Sequence, residues 1–459
     1  MISAPGRLLR RVDRAVDGLV GDLILYAVSA AFALATALTS TLLPHRGWGA
    51  IAVWAYLIAA VVVTGQLLAR RFNGHPLGTA PGVEQPSSAA ARLLPGNRPS
   101  KPPSRWGSPS NPAWSGRAPL AWLVWAGVAL LPLIVEAVQR AGGRTDRAQE
   151  EVLVVEQMGR RLLESGTPYL GRDAIAALPE SERLLGYAPY QPGMAVFGLP
   201  RAAMGGAWWT DARVWFAVVT AAALIAAVVL LRLADPAARV RATQFATVLP
   251  ICALTLATGG DDLPVLALCL LALACCATGR FAAAGVAVGV AAAAKLFALP
   301  VAAVLVVFAL TARRGRRLLP GAIGLPLLAL LPALLVDADA LTENVLRFPL
   351  GHGLVHSPAQ SPFPGQLIAS ALPGGRYVAA ALLGAAGLTI AMLLLRRPPR
   401  TAATAALFCG YGLLAAILLM PTTRFGYLLY PLALLAWTPA LRKYSATTAP
   451  RDDAALYRV

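Results

Sequence analysis

The stretch Gln149–Leu170, "QEEVLVVEQMGRRLLESGTPYL", decides how the rest of this chain is read. It sets four glutamates and two arginines among valines and leucines, then stops at Gly-Thr-Pro-Tyr. At about 100° per residue, Glu151, Val155, Met158 and Leu162 fall on one stripe, with Val154 at its edge. The pattern predicts an amphipathic helix from about Asp146 to Ser165, stopped by Gly166 with Pro168 just beyond. Glu151 occupies the first turn of the apolar face. By angle alone Asp146, Glu150, Glu156 and Glu164 point elsewhere, and a solvated face is expected for them. An acid on the apolar side either complements the helix N-terminus or has a partner or a task.

On both sides of this stretch the chain turns apolar. Its 459 residues are 57% hydrophobic and 14% charged, where a soluble domain carries about a quarter charged residues. Runs near the roughly 20 residues needed to cross a bilayer recur throughout. The expected fold is an all-α polytopic membrane protein of about 12 transmembrane helices with an interfacial-helix loop on its outer face. The spans fall at about 23–43, 48–69, 119–138, 212–233, 243–258, 262–278, 281–297, 298–311, 317–335, 374–396, 401–420 and 424–441. Residues 281–311 cross twice as a tight hairpin, because Arg280 precedes them and Arg313–Arg317 follows.

A formal net charge of +18 suits nucleic acid or a membrane topology signal. The basic residues cluster in short loops between apolar runs, as the positive-inside rule requires. "GRLLRRVDR", "ARR" before Phe72, "LADPAARVR", "RRGRR", "RRPPR" and "LRK" then share the cytoplasmic side with both termini. The outer side receives loop 139–211, the turn "GGDD", the loop around 337–373 and "TTRFG". Residues 190–206 contain Pro192 and Pro200 and are expected to lie at the interface rather than to cross. The division along the chain is a two-helix hairpin (1–69), a disordered Pro/Ser/Gly linker (70–118), a helical core (119–441) and a tail (442–459). The five cysteines lie in apolar runs with no metal-ligand company and are expected to be packing residues.

Chemistry-bearing residues gather on the outer side. "GYAPYQPG" brings Tyr187 and Tyr190, either aromatic-belt residues or part of a site. "ATGGDDLP" brings Asp261 and Asp262, which suit a cation, a sugar hydroxyl, a basic partner or a helix cap. Lys295 stands within an apolar run, either snorkelling or meeting a phosphate or carboxylate. "RFPLGHGLVHSPAQSPFPGQ" brings Arg347, His352 and His356. Glycine and proline break the helix a metal pair would need there, so a hydrogen-bonding or phosphate-facing loop is expected. Arg424 opens the last span on the side where topology disfavours arginine, which invites an anionic partner. An acid beside several phosphate-capable cations is the makeup of a group-transfer site for a phosphorylated lipid.

The order of these elements resembles the membrane glycosyltransferases of the GT-C type, specifically glycosyltransferase family 87, whose actinobacterial mannosyltransferases use polyprenyl-phosphate mannose. In that family the first outer loop opens with an Asp, and an amphipathic helix follows that ends in G-x-P-Y. Counting back from Pro168 lands on Glu151. "YAPYQP", "GGDD", "AGVAVGVAAAAKLFALP" and "RFGYLLYP" follow in the family's order, so the resemblance covers about 119–441. Glu151 replaces the usual Asp, Asp261 a Gln, and Tyr-Ala-Pro a Tyr-Pro-Pro. The hairpin and linker have no counterpart. The resemblance implies a polyprenyl-phosphate sugar donor, most simply mannose, and a lipid-linked or glycan acceptor. It implies Glu151 as general base, and Lys295, Arg424, His352 or His356 against the donor phosphate. No cofactor, obligatory metal or nucleic acid is expected. The competing classes are a lipid or solute transporter, which would place its polar residues at the midplane between repeat halves, and a non-catalytic scaffold.

Overall fold

In the computed structural model, residues 18–73, 116–442 and 444 are described. Most of the expected linker, both chain ends and the tail lie outside the described residues. Apolar runs become helices here because a backbone without water must satisfy its own hydrogen bonds. Among the described residues the regular structure is helical, apart from one isolated bridge between Gln360 and Thr423.

The hairpin consists of α1 (Leu19–Thr39) and α2 (Leu43–Asn73). The core begins with α3 (Arg117–Ala141), which contains a π turn over Ala126–Leu130. The outer loop carries α4 (Glu150–Ser165). Then come α5 (Ala212–Leu230), α6 (Pro236–Thr247), α7 (Pro250–Thr258), α8 (Asp262–Ala277), α9 (Phe281–Ala294), α10 (Ala298–Thr311) and α11 (Gly315–Val336). A long loop after α11 leads through α12 (Pro364–Ala371) to α13 (Gly375–Arg396), α14 (Ala402–Leu419) and α15 (Leu429–Arg442). Residues 190–206 form only Pro192–Gly198 and Leu199–Met204, too short to cross.

Seven helices are long and apolar enough to span a membrane, or eight if α6 and α7, bent by 42° at the break before Pro250, form one span. The remainder of the expected twelve are α8, α9, α10 and α15, of 14 to 16 residues. At about 1.5 Å per residue they reach only about 21–24 Å, short of the roughly 30 Å hydrocarbon core. Length and apolarity therefore support a multi-pass membrane protein with seven or eight candidate spans among the described residues, and do not confirm the number twelve. The turn joining α9 to α10, which carries Lys295, lies between two of these short helices.

Small residues let helices α9 and α11 touch backbone to backbone. A methyl on Gly289 would lie 2.0 Å from the Gly321 carbonyl, and one on Gly285 would lie 2.2 Å from that of Leu318. The hairpin is fastened to the core by buried polar bonds. Asp22 accepts from Arg117 Nε at 2.5 Å and Nη2 at 2.8 Å, and from Gln244 at 3.0 Å. Trp48 donates to the Val128 carbonyl inside the π turn at 2.7 Å. Tyr56 donates to the Val248 carbonyl at 2.5 Å. That carbonyl is available because the chain breaks before Pro250, and the Cys252 amide turns to Leu249 instead.

Candidate functional site

Helix α4 forms as its sequence predicts. Gly166 ends it in the left-handed conformation at φ 76°, and its amide returns to the Leu162 carbonyl at 3.1 Å. Val152, Val155 and Met158 are fully buried. The start is pinned by Gln149, whose amide donates to the Thr258 carbonyl at 3.0 Å and whose side-chain oxygen accepts from the Thr258 hydroxyl at 3.0 Å. The first turn of α4, with Glu151, is thus held against the outer end of α7.

The opposite side of α4 differs from expectation. Glu150, Glu164 and Asp146 are exposed, but Glu156 is buried. Arg140 grips its carboxylate with two bonds of 2.7 Å, and Arg201 adds a third contact at 3.2 Å. Arg140 also donates to Asp211 at 2.9 Å. Arg213, fully buried, donates to both Asp211 oxygens at 2.9 Å and to Glu136 at 3.0 Å. Burial opposes ionisation of Asp211, but Arg213 and Arg140 overcome it and hold its carboxyl down at about 2. An angular projection assumes one buried face. Here α4 lies in a cleft, with α3 and α5 closing its second side.

A cavity of about 870 Å³ opens beside the first turn of α4. It joins Glu151, Lys295, Arg424, Asp261, Asp262, Tyr187 and Tyr190. Glu151 is ion-paired with Arg424 through Nη1 and Oε1, and the two side chains are 18% and 39% exposed. Lys295 lies in the α9–α10 turn and bonds Asp261 at 2.9 Å and Asp262 at 2.6 Å. The Tyr190 and Tyr427 rings face its ammonium at 5.3 and 5.7 Å, within cation–π range. Asp262 also accepts from Tyr430 at 2.8 Å. Of the readings open for the aspartates, the arrangement is that of a basic partner within the chain; Asp261 stands at the N-cap of α8 without making a capping bond. Tyr190 is brought to Lys295 because the Gln191 amide bonds the Ala294 carbonyl at 3.1 Å. Gly193 permits that approach, since a methyl there would sit 2.6 Å from the Ala293 carbonyl.

Three expected residues are not brought to this cavity. His352 and His356 are exposed on the loop between α11 and α12, and Arg347 is exposed and pairs with Glu343 at 3.5 Å. That loop reaches the cavity through Ser357, Pro358 and Ala359, while His352 and His356 are not among the lining residues. Tyr187 reaches the cavity edge, but its hydroxyl donates to buried Glu343 at 2.8 Å and accepts from the Leu354 amide at 2.7 Å. It ties the two loops together. Sequence reasoning missed Glu343, Gln149 and His45, which also lines the cavity. Glu343 stands in the polar stretch "DADALTEN", which gave no signal that it would be buried. Nothing in the local sequence marked His45.

Comparison with known proteins settles the class. The sequence profile of Glycosyltransferase family 87 matches residues 187–421, just over half of the chain. The chain belongs to glycosyltransferase family 87. Membership places this chain among the glycosyltransferases of family 87, and its apolar helices make it a multi-pass membrane protein. The matched segment contains Tyr190, Asp261, Asp262 and Lys295. Glu151, Arg424 and the hairpin lie outside it. Among solved structures, the crystal structure of ArnT from Cupriavidus metallidurans bound to undecaprenyl phosphate is 16% identical, with a TM-score of 0.43. The match covers 72% of this chain and 60% of that one, so the family 87 chain spans less than two thirds of its length. No curated protein matches by sequence.

Proposed function

We propose that this family 87 enzyme transfers a sugar, with mannose the first expectation, from a polyprenyl-phosphate donor to an acceptor hydroxyl on the exoplasmic side, with inversion. One observation carries the reading: a single cavity joins a half-buried glutamate to an arginine and a lysine at one end of the helical bundle. Arginine-rich turns at the ends of the helices away from the cavity support a cavity that faces the outside of the cell, with both termini inside.

In this mechanism Glu151 takes the proton of the acceptor hydroxyl. The freed oxygen bonds to the anomeric carbon as the bond from that carbon to the phosphate oxygen breaks, and polyprenyl monophosphate leaves. The departing phosphate needs charge stabilisation more than a proton. Arg424 is the better placed cation, because Lys295 already answers two carboxylates. In the unliganded arrangement Arg424 pairs with Glu151. A donor phosphate competes for its guanidinium, and the Glu151 carboxylate is freed to meet the acceptor hydroxyl as that pairing loosens. Lys295 with Asp261, Asp262 and Tyr190 forms a rigid floor for the sugar.

The test is mass-resolved transfer by purified protein in nanodiscs with a panel of polyprenyl-phosphate sugars. Transfer from at least one is expected; none from any of them, by a protein that is folded, overturns the reading. On the same footing Arg424→Gln is expected to raise the donor KM about tenfold, the scale of one charge-assisted bond. An unchanged donor KM would remove Arg424 from the phosphate.

A further inference from the structure

The hairpin lies outside the family match, yet it lines the transfer cavity with Phe32 and His45. His45 stands in the first turn of α2, half-buried, with Nε2 2.7 Å from the Gln149 amide nitrogen. The other end of that amide is fixed, because its oxygen accepts from Thr258 at 3.0 Å. With Gln149 donating, His45 Nε2 is the acceptor, and the imidazole is neutral with its proton on Nδ1. Among the described residues no side chain or backbone group is bonded to that Nδ1. Gln149 is the residue before α4, two positions from Glu151, and His45 lies within electrostatic reach of the Glu151 carboxylate.

The cavity therefore has two chemistries. The Arg424 and Lys295 region is charged and suits a phosphate. The His45–Gln149 pair is neutral and offers an unpartnered N–H, which suits a hydroxyl oxygen and does little for a phosphate. We propose that His45, oriented by Gln149, is an acceptor-binding residue that positions a polyhydroxylated, sugar-like acceptor beside Glu151. The inference rests on the transfer reading above. It makes the hairpin part of the active site rather than an appendage.

The experiment uses full-length protein in nanodiscs, the polyprenyl-phosphate sugar that the wild type uses, and octyl α-mannoside as acceptor probe. Donor hydrolysis to free sugar is followed without acceptor. His45→Ala is expected to raise the acceptor KM about tenfold, with donor KM and hydrolysis unchanged, and His45→Asn, which keeps an N–H donor, is expected to recover part of the loss. An acceptor KM unchanged in both variants overturns the proposal, as does a donor KM that rises in step. If His45→Ala loses hydrolysis through misfolding, the acceptor KM of His45→Asn decides by the same criterion. A wild type inactive with every donor and with the probe overturns the function and this inference together. Wild-type activity with unaffected variants overturns this inference alone.

Discussion

Glu151→Gln is expected to insert and fold normally and to transfer sugar about 10²- to 10⁴-fold more slowly, the range a positioned general base supplies. The amide keeps the size of the side chain and one acceptor oxygen for Arg424, so the donor KM should change little. The loss falls on kcat because glutamine cannot take the acceptor proton. Glu150→Gln is the matched control, as it is one residue away and exposed. Near-wild-type turnover by Glu151→Gln, or an equal loss in Glu150→Gln, would remove Glu151 from the role.

The second large effect is on stability. Arg213→Met is expected to cost about 3–5 kcal/mol, because it strands a buried acid rather than removing a whole network. Arg213 donates to Asp211, Glu136 and the Arg147 carbonyl, all from a fully buried position. Asp211 keeps Arg140, but Glu136 keeps no cation within salt-bridge distance, and one of its oxygens is already unpaired. The same network holds α4, so activity should fall with it. Thermal unfolding in detergent checks this against Arg160→Gln, a change on the exposed side of α4. Equal midpoints for the two variants would show that the network is not what holds the outer loop.

Helix order was legible in the sequence because the apolar runs and their arginine punctuation are strong signals. The expected runs 212–233, 281–297 and 298–311 correspond to Ala212–Leu230, Phe281–Ala294 and Ala298–Thr311. The pairing of Glu151 with a cation was legible in part, from a buried-stripe acid and an outer-face arginine. Charge-to-charge partners were not. Arg140, Asp211 and Arg213 sit beside apolar runs, and only the fold brings them together with Glu156. Glu156 looked solvated because a helical projection cannot see a second covered face. His45 was invisible because its partner is more than a hundred residues away.

The polar fastenings between hairpin and core have a consequence for how the protein can be made. Asp22–Arg117, Trp48–Val128 and Tyr56–Val248 locate the hairpin through space, and none depends on the covalent path between residues 73 and 116. Two separately translated pieces, divided within that path and co-expressed, should therefore find each other in the bilayer and co-purify as a working pair. The hairpin would then behave as a subunit that happens to be tethered.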